Sequence, residues 1–448
     1  MTTCVQDLPE RRVNSVRPAS LAPAAGAAPA KPPIAAVLGH AARCASGGEM
    51  AKHDRRQLAR FYLGTFWLYG ADQFVLLAAR WGMVALARSP IMLALVVILH
   101  ALPQVAVGVL GPERAGGRRL TSITLQGGAA LAVAWLAGLA GGGALMAALL
   151  AAALFAGFTS AVAVPLGQAS LMQFLPVAER VRGSRGYEVA SRIPMLAAPI
   201  VGGALIVLVG VRQLVVWAAV LLLLAAWAYR RWPEARTPRA QGLLLRRSLT
   251  AVRRDRWLLT ALLVRGVQNL FWPAFTLGLP LLVADRLHGG ALAYGLLLSS
   301  YGVATLLTAG LSGRLQLAHL RWLYYLSWVT TGFGFVLLAM AGTMPLAVLG
   351  AALTGIGSPF VHMALDTHIG TNVDAQLQSA LFGLQRLVMS VLSLVGAYAV
   401  GWWLTRTAPA HALATSGAAL AAVGVAGASL ALLQGRTLVR DTARRASP

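Results

Sequence analysis

Residues 61–86 read FYLGTFWLYGADQFVLLAARWGMVAL, a stretch long and apolar enough to cross a bilayer as a helix, which requires about 20 residues. The stretch nevertheless contains Asp72, Gln73 and Arg80. At about 100° per residue, these three side chains share one helical face with Thr65 and Tyr69. A charged side chain near the bilayer centre costs about 2.5–3.5 kcal/mol, so we expect this polar face to meet protein or water and not lipid.

A related pattern returns later in the chain. The segment YGADQF at residues 69–74 aligns with RGVQNL at residues 265–270. The second copy also places four side chains on one helical face: Arg265, Gln268, Asn269 and Trp272. Two helices with polar faces at matching positions of two halves indicate a duplicated transporter with a central site between the repeats.

The composition excludes several classes of protein. The chain has 448 residues, 58% of them hydrophobic, and a mean hydropathy of +0.68, which predicts a polytopic membrane protein. The net charge of +24 does not indicate nucleic-acid binding, because the basic residues form short clusters between apolar runs. Cys4 and Cys44 both lie in the polar N-terminal region and do not form a plausible disulfide framework or metal site.

The sequence contains no catalytic constellation and no GxxxxGK[ST] phosphate-binding motif. We therefore expect neither an enzyme nor a transporter that hydrolyses ATP by itself. No cofactor is expected.

Twelve spanning helices are predicted, joined by short loops and flanked by polar tails. The predicted spans lie near residues 60–86, 91–110, 120–139, 143–167, 187–209, 211–230, 257–282, 290–312, 321–341, 344–365, 378–404 and 411–433. They divide the chain into a disordered tail (1–56), a six-helix bundle (57–230), a linker (231–256), a second six-helix bundle (257–434) and a C-terminal tail (435–448). Translation could start at Met1 or at Met50.

The distribution of arginine predicts the orientation. On one side of the membrane the short loops are rich in arginine, and on the other they contain only Arg88, Arg212, Arg286 and Arg406. Positively charged loops stay in the cytoplasm, so both termini and the linker are predicted to be cytoplasmic.

Several motifs carry a resemblance to a known family. Arg88-Ser89-Pro90 follows the first span, and APIVGG occupies residues 198–203. The chain thus resembles the major facilitator superfamily, specifically the branch of the enterobactin exporter and macrolide efflux proteins, over roughly residues 58–434. The resemblance implies a twelve-helix fold of two pseudo-symmetric bundles. It also implies antiport, because APIVGG is similar to the exporters' fifth-helix motif GPxxGG.

The same resemblance predicts gating residues. The family's loop between helices two and three usually reads GxLaDrxGRR, and here it reads GVLGPERAGGRR at residues 108–119, without the Asp. The gating residues implied are Glu113, Arg118 and Arg119 in this loop and Pro199, Gly202 and Gly203 in the fifth helix.

Asp72 is the candidate for proton coupling. A carboxylate in a partly dry cavity can bind and release a proton near neutral pH. The alternative is a structural ion pair with an arginine, such as Arg80 or Arg265.

The candidate substrate-binding residues are polar or aromatic side chains on predicted spans. They are Tyr69, Gln73, Arg80, Arg265, Gln268, Asn269, Trp272, Gln385 and Arg386. Guanidinium groups suit anionic or hydroxamate-like ligands. The alternatives are that Arg80 extends its charge to the membrane interface, and that Gln268 and Asn269 bridge helices.

We therefore expect a monomeric exporter in the bacterial inner membrane that exchanges protons for a small organic molecule. The first expectation for the substrate is a siderophore, from the resemblance to the enterobactin exporter branch. Drug or macrolide efflux is the alternative, and a membrane sensor of the same fold without transport is a third. Nucleic acid is not expected as a partner.

Overall fold

Twelve long helices make up most of the structure, a computed structural model that describes residues 52–110, 120–176, 179–233, 249–312, 317–373 and 375–446. The helices are α1 (Lys52–Ala87), α2 (Pro90–Leu110), α3 (Leu120–Ala137), α4 (Gly142–Phe174), α5 (Arg180–Val209), α6 (Val211–Tyr229), α7 (Arg256–Asp285), α8 (Ala291–Ser312), α9 (Leu317–Met340), α10 (Met344–Asn372), α11 (Ala375–Leu404) and α12 (Pro409–Ala446).

Glycine residues end several helices. Gly210 lies between α5 and α6 with a φ of +88°, a conformation that side chains with a Cβ rarely adopt. Gly141, with a φ of +74°, separates the short 3-10 turn Gly138–Ala140 from α4. These glycines allow the chain to reverse within one or two residues, which keeps consecutive helices adjacent and antiparallel.

Eleven of the helices in the described ranges are long and apolar enough to cross a membrane. The other long helix, α1, is the one whose apolar sequence is interrupted by Asp72, Gln73 and Arg80. Lipid cannot hydrogen-bond to the backbone, and a helix satisfies its own backbone groups, so helices are the structure that such apolar runs should adopt. The predicted all-α polytopic fold is confirmed.

The contacts between helices reveal a duplication. In the first half, α1 packs against α4, α5 and α6; α3 packs against α4 and α6; and α2 packs against α4. In the second half, α7 packs against α10, α11 and α12; α9 packs against α10 and α12; and α8 packs against α10. Each of these pairings thus recurs six helices later. Asp72 on α1 and Gln268 on α7 lie on equivalent helices, as the aligned segments predicted.

The two halves meet mainly through two symmetry-related pairs, α2 with α11 and α5 with α8. Close glycine contacts allow these helices to approach. Gly401 of α11 lies against Ala94 of α2, and Gly203 of α5 lies against the backbone of Ala291 at the start of α8. A Cβ on Gly295 of α8 would collide with a backbone carbonyl of α5.

These glycine contacts lie toward the end of the bundle that the arginine distribution assigns to the outside. The ring of Trp81 on α1 stacks on that of Tyr294 on α8 at the same end, with ring centroids 6.0 Å apart. Toward the predicted cytoplasmic end, by contrast, Asp366 and Arg386 are exposed on helices of the second half. The halves are therefore closed against each other on the predicted outer side.

The helix bounds differ from the predicted spans mainly at the chain ends. Helix α12 continues to Ala446, so most of the segment predicted as a C-terminal tail is helical. The tail before residue 52 and linker residues 234–248 lie outside the described residues. Asp255, the next-to-last residue of the predicted linker, caps the start of α7 by accepting a hydrogen bond from the Leu258 N–H at 3.0 Å.

We predict that Gly157→Ala destabilises the protein. The new Cβ on α4 would collide with the carbonyl oxygen of His100, and a backbone atom cannot move aside cheaply. Overpacking of this kind costs about 1–3 kcal/mol and should lower the thermal midpoint of the purified protein in detergent. Gly143→Ala is the matched control, because it lies on the same helix and its Cβ would meet open space. Equal midpoints for the two variants would contradict the close contact of α2 and α4.

Candidate functional site

The polar groups of α1 and α7 lie deep in the helical bundle. Asp72 lies roughly 22 Å along the helix axis from the end of α1 at Ala87, at about 1.5 Å per residue. Arg265 lies roughly 14 Å from the start of α7 at Arg256 by the same measure. Both positions fall within the hydrocarbon thickness of about 30 Å.

Asp72 is held by two side chains from neighbouring helices of the first half. Its Oδ1 lies 2.9 Å from His100 Nε2 on α2 and accepts a hydrogen bond from Ser160 Oγ on α4 at 2.8 Å. The side chains of Asp72 and His100 are each only 14% exposed. An ionised carboxylate only accepts hydrogen bonds, so His100 Nε2 carries a proton when Asp72 is charged. Asp72 thus pairs with a histidine and not with Arg80 or Arg265, the partners weighed from the sequence.

The sequence reasoning missed His100 and Ser160 as partners of Asp72. One signal was available for His100, because it is the one ionisable side chain in the otherwise apolar α2. An ionisable residue inside a span is a candidate functional residue by default. Nothing in the spacing of the sequence placed Ser160 beside Asp72.

A small cavity beside Asp72 has room for about one water molecule. It lies among helices α1, α3, α4 and α6, inside the first half. Its lining residues are Leu68, Ala71, Asp72, Leu131, Ala156, Thr159, Ser160 and Leu222. A cavity of this size within one half suits a proton or a water and is far too small for an organic substrate.

The polar face of α1 divides among several neighbours. Thr65 is buried and its Oγ1 lies 3.1 Å from the Tyr229 hydroxyl of α6. Tyr69 pairs with Tyr187 of α5, with 3.3 Å between the two hydroxyls. Gln73 is half-buried. The five polar residues on this face of α1 therefore do not form one continuous surface, because they contact different helices: α6, α5, α2 and α4.

Arg80 lies near the closed end of the bundle, within electrostatic range of Tyr294 on α8 and of Asp72. Its Nε is buried and has no hydrogen-bond partner among the described residues. The neighbouring Trp81 stacks on the same tyrosine. Arg80 is thus placed at the contact of the two halves and not at the membrane interface.

Arg265 is the most deeply buried cation of the described residues, with 6% of its surface exposed. Its Nε donates to the Met389 sulfur of α11 at 3.1 Å, and its Nη2 lies 3.0 Å from His362 Nδ1 of α10. Asn269 donates back to the carbonyl oxygen of Arg265 at 2.8 Å, so its amide NH2 serves its own helix. Gln268 is half-buried.

Trp272 belongs to an aromatic cluster of the second half. Its ring lies 5.2 Å from that of Phe275, 5.8 Å from that of Tyr301 and 6.0 Å from that of Phe335, measured between centroids. Distances of this size are typical of favourable aromatic pairs. The ring is half-buried and packs within the helix bundle, two turns along α7 from Arg265.

Charged groups of each half reach toward the other half. Arg386 of α11 is exposed and lies within electrostatic range of Tyr69 and Tyr187 in the first half. Arg192 of α5 lies within electrostatic range of Asp366 in the second half. Arg386 and Arg192 therefore act electrostatically on groups of the opposite half.

The structure brings some of the predicted site residues together and separates others. Arg386 acts electrostatically on Tyr69 of the other half, and Gln385 lies one turn from Met389, the partner of Arg265. Gln385 is 8% exposed, and its Oε1 has no hydrogen-bond partner among the described residues. Asp72, in contrast, is enclosed by side chains of its own half.

The predicted gating residues fall into two groups. Pro199 and Gly203 of α5 lie at the contact with α8, where the glycine allows close approach. Gly202 faces α1, against the side chains of Phe74 and Leu77. Glu113, Arg118 and Arg119 lie outside the described residues.

A separate polar cluster lies at the predicted cytoplasmic end of the second half. His368 Nε2 of α10 lies 2.6 Å from Asp255 Oδ2, and the Arg321 Nη2 of α9 lies 2.9 Å from His368 Nδ1. Arg321 also lies over the Trp257 ring, 5.3 Å from its centroid. Because Arg321 only donates, His368 must accept at Nδ1 and donate at Nε2, as a neutral histidine does. The cluster ties together the ends of α7, α9 and α10.

Among the described residues, no group of three His, Cys, Asp or Glu side chains is placed to hold a metal ion.

Comparison with solved structures identifies the fold. A bacterial homologue of the human lysosomal transporter Spinster, solved in an inward-facing, unoccupied conformation, matches with a TM-score of 0.63 and 14% identity over 88% of this chain and 99% of that one. A POT family transporter in complex with 5-aminolevulinic acid gives a TM-score of 0.65 with 10% identity, covering 83% and 95%. The nucleoside transporter NupG gives 0.60 with 12% identity, covering 84% and 98%. The chain has the major facilitator fold.

At these identities the likeness shows the fold alone. No protein-family model matches the chain, and no curated protein matches its sequence. The major facilitator likeness is therefore supported, whereas the enterobactin exporter branch rests on the sequence motifs quoted above.

We predict that Asp255→Asn weakens the fold above about pH 4. Burial by itself raises the pKa of Asp255. The hydrogen bonds from Leu258 N–H and His368 lower it by more, so the pKa of Asp255 lies below its ordinary value. An ionised Asp255 therefore stabilises the folded state above the unfolded pKa of about 3.9, and this contribution is lost as the pH falls through the lower folded pKa.

Thermal unfolding in detergent between pH 7 and pH 3 measures this effect. The midpoint of Asp255→Asn should lie below that of the parent at pH 7, and the gap should close toward pH 3. Asp285→Asn, at the exposed far end of the same helix, is the control and should not lower the midpoint at pH 7. A gap that widens on acidification would contradict the role of Asp255.

Proposed function

We propose that this protein is a secondary active transporter that exports a small organic molecule across the bacterial inner membrane in exchange for protons. The fold supports transport, because its two halves can rock about a central space that opens alternately to each side. We propose that Arg192, Arg386 and Asp366 line that space, because Arg386 and Arg192 act electrostatically across the two halves. We expect the protein to lie in the lipid bilayer as a monomer, with both termini in the cytoplasm.

The observation that carries the proton-coupling proposal is the buried contact of Asp72 with His100 and Ser160. A carboxylate and an imidazole that share a contact in a nearly dry interior form a group that can take up and release a proton. Protonation of Asp72 removes its charge and weakens its contact with His100 and Ser160. The contact joins α1 to α2 and α4, and α2 packs against α11 of the other half.

This connection gives a physical route from proton to conformation. A proton that binds one state more tightly than the other shifts the equilibrium between them. Binding at Asp72 changes the packing of α2, and α2 forms half of one contact between the two bundles. The substrate must favour a different state from the proton, or compete with it, for exchange to occur.

For the substrate, we propose a siderophore first. The resemblance to the enterobactin exporter branch and the polar side chains of Arg80, Arg265 and Gln268 favour a polar chelator over an apolar cation. Drug or macrolide efflux is the second candidate, favoured by the aromatic cluster around Trp272. The fold does not decide between them, since proteins of this fold have been solved with a peptide conjugate and with 5-aminolevulinic acid.

Inside-out membrane vesicles test the proposal, because export then appears as uptake. We expect a siderophore to accumulate when a proton gradient is imposed and to stop accumulating when the gradient is collapsed. Asp72→Asn should abolish gradient-driven accumulation, since the asparagine amide does not take up a proton at physiological pH. Asp285→Asn should retain it.

Two results would contradict the proposal. Gradient-driven accumulation that is unchanged in Asp72→Asn would remove this residue from coupling. The absence of flux for every chelator and drug tested, in protein shown to be folded, would favour a sensor over a transporter.

A further inference from the structure

Arg265 is a buried cation that lacks a paired anion. Its guanidinium contacts the neutral thioether of Met389 and the ring of His362, and its Nη1 has no hydrogen-bond partner among the described residues. No carboxylate of the described residues forms an ion pair with it. Burying an uncompensated charge is strongly unfavourable, so the position is expected to be stabilised by an anion that arrives from elsewhere.

Polar side chains of α10 and α11 flank Arg265. On α10, Asp366 lies one turn beyond His362, and on α11, Gln385 lies one turn before Met389. Residues four apart share a helical face, so both side chains follow the face that contacts Arg265. Asp366 is exposed, so this end of the site is not covered by protein.

Charged groups of both signs lie around the site. Arg192 of the other half lies within electrostatic range of both His362 and Asp366, so two guanidinium groups act on this region. Glu188 forms an ion pair with Arg192, with 3.2 Å between Glu188 Oε2 and Arg192 Nε. Among the described residues, Asp366 is the carboxylate that acts electrostatically on Arg265, and the two form no ion pair.

We propose that Arg265 and His362 form a binding subsite for the carboxylate, or another oxyanion, of the transported molecule. The planar guanidinium holds an oxyanion through two parallel hydrogen bonds, one of them from the free Nη1. Tyr301, within electrostatic range of Arg265 and 5.8 Å from Trp272 between ring centroids, places an aromatic surface nearby. The class of ligand is thus an organic anion that carries an aromatic or apolar part.

Asp366 competes with this ligand for Arg265. When the subsite is empty, the Asp366 carboxylate partly offsets the charge of Arg265. A bound oxyanion replaces that attraction and at the same time is repelled by the Asp366 carboxylate. Removal of the Asp366 charge therefore strengthens binding. This inference rests on the proposed transport function but needs neither a direction of transport nor proton coupling.

Ligand-dependent thermal unfolding of the purified full chain in detergent tests the subsite, with sodium benzoate as the probe at constant ionic strength. A ligand that binds the folded state raises the thermal midpoint. Benzoate should raise the midpoint of the parent, and the neutral isostere benzamide should not. Arg265→Gln should weaken benzoate binding at least tenfold, and Asp366→Asn should strengthen it several-fold. Arg253→Gln, an exposed arginine just before α7, is the matched control and should bind as the parent does.

Several outcomes would overturn the inference. They are an equal response to benzamide, benzoate binding that survives Arg265→Gln, and binding that is unchanged or weakened in Asp366→Asn. A response to inorganic phosphate alone would replace the organic anion with an inorganic one. If Arg265→Gln does not fold, Arg265→Lys keeps the charge but loses the paired donors, so its benzoate affinity should fall below that of the parent, and retained affinity would overturn the inference.

The outcomes also separate this inference from the proposed function. Benzoate binding that requires Arg265, together with flux that ignores the proton gradient, would overturn proton coupling alone. Proton-driven export with no anion preference would overturn the subsite alone.

Discussion

A charged side chain within a bilayer must either meet a partner inside the protein or reach water, and this constraint orders the interior of the bundle. Asp72 meets His100 and Ser160. Large apolar side chains such as Leu208 and Val133 remain exposed on the outside of the helices, where lipid can cover them. The polar residues therefore determine which face of each spanning helix turns inward.

The duplication repeats the same arrangement of helices in both halves of the protein. The main helix pairings of the first half recur in the second, and the halves touch through α2 with α11 and α5 with α8. Close packing at these contacts depends on residues without a Cβ, such as Gly203 and Gly401. A contact of small residues can slide or open with little loss of packing, which suits an interface that must rearrange. The proton-coupling proposal depends on α2 being shared between this interface and the Asp72 contact.

The equivalent helices of the two halves present different chemistry. On α1, an acid lies against a histidine and a serine, and its charge is satisfied within its own half. On α7, Arg265 is surrounded by neutral partners and lacks an anion. The first arrangement suits a proton and the second suits an anionic ligand. We regard this asymmetry as the reason why one half is proposed to couple and the other to recognise the substrate.

The sequence by itself determined the class of fold, the number and position of the long helices and the equivalence of α1 and α7. It could do so because apolar length and helical periodicity are local properties that one chain segment displays alone. Asp72 and Arg265 were also identified from sequence, since a charge in an apolar run is conspicuous. Only the tertiary structure decided that Asp72 pairs with His100, that Thr65 turns toward Tyr229, and that Arg265 forms no ion pair with a carboxylate of the described residues. Those outcomes depend on which faces of distant helices meet, and helix packing fixes them through contacts that no single segment encodes.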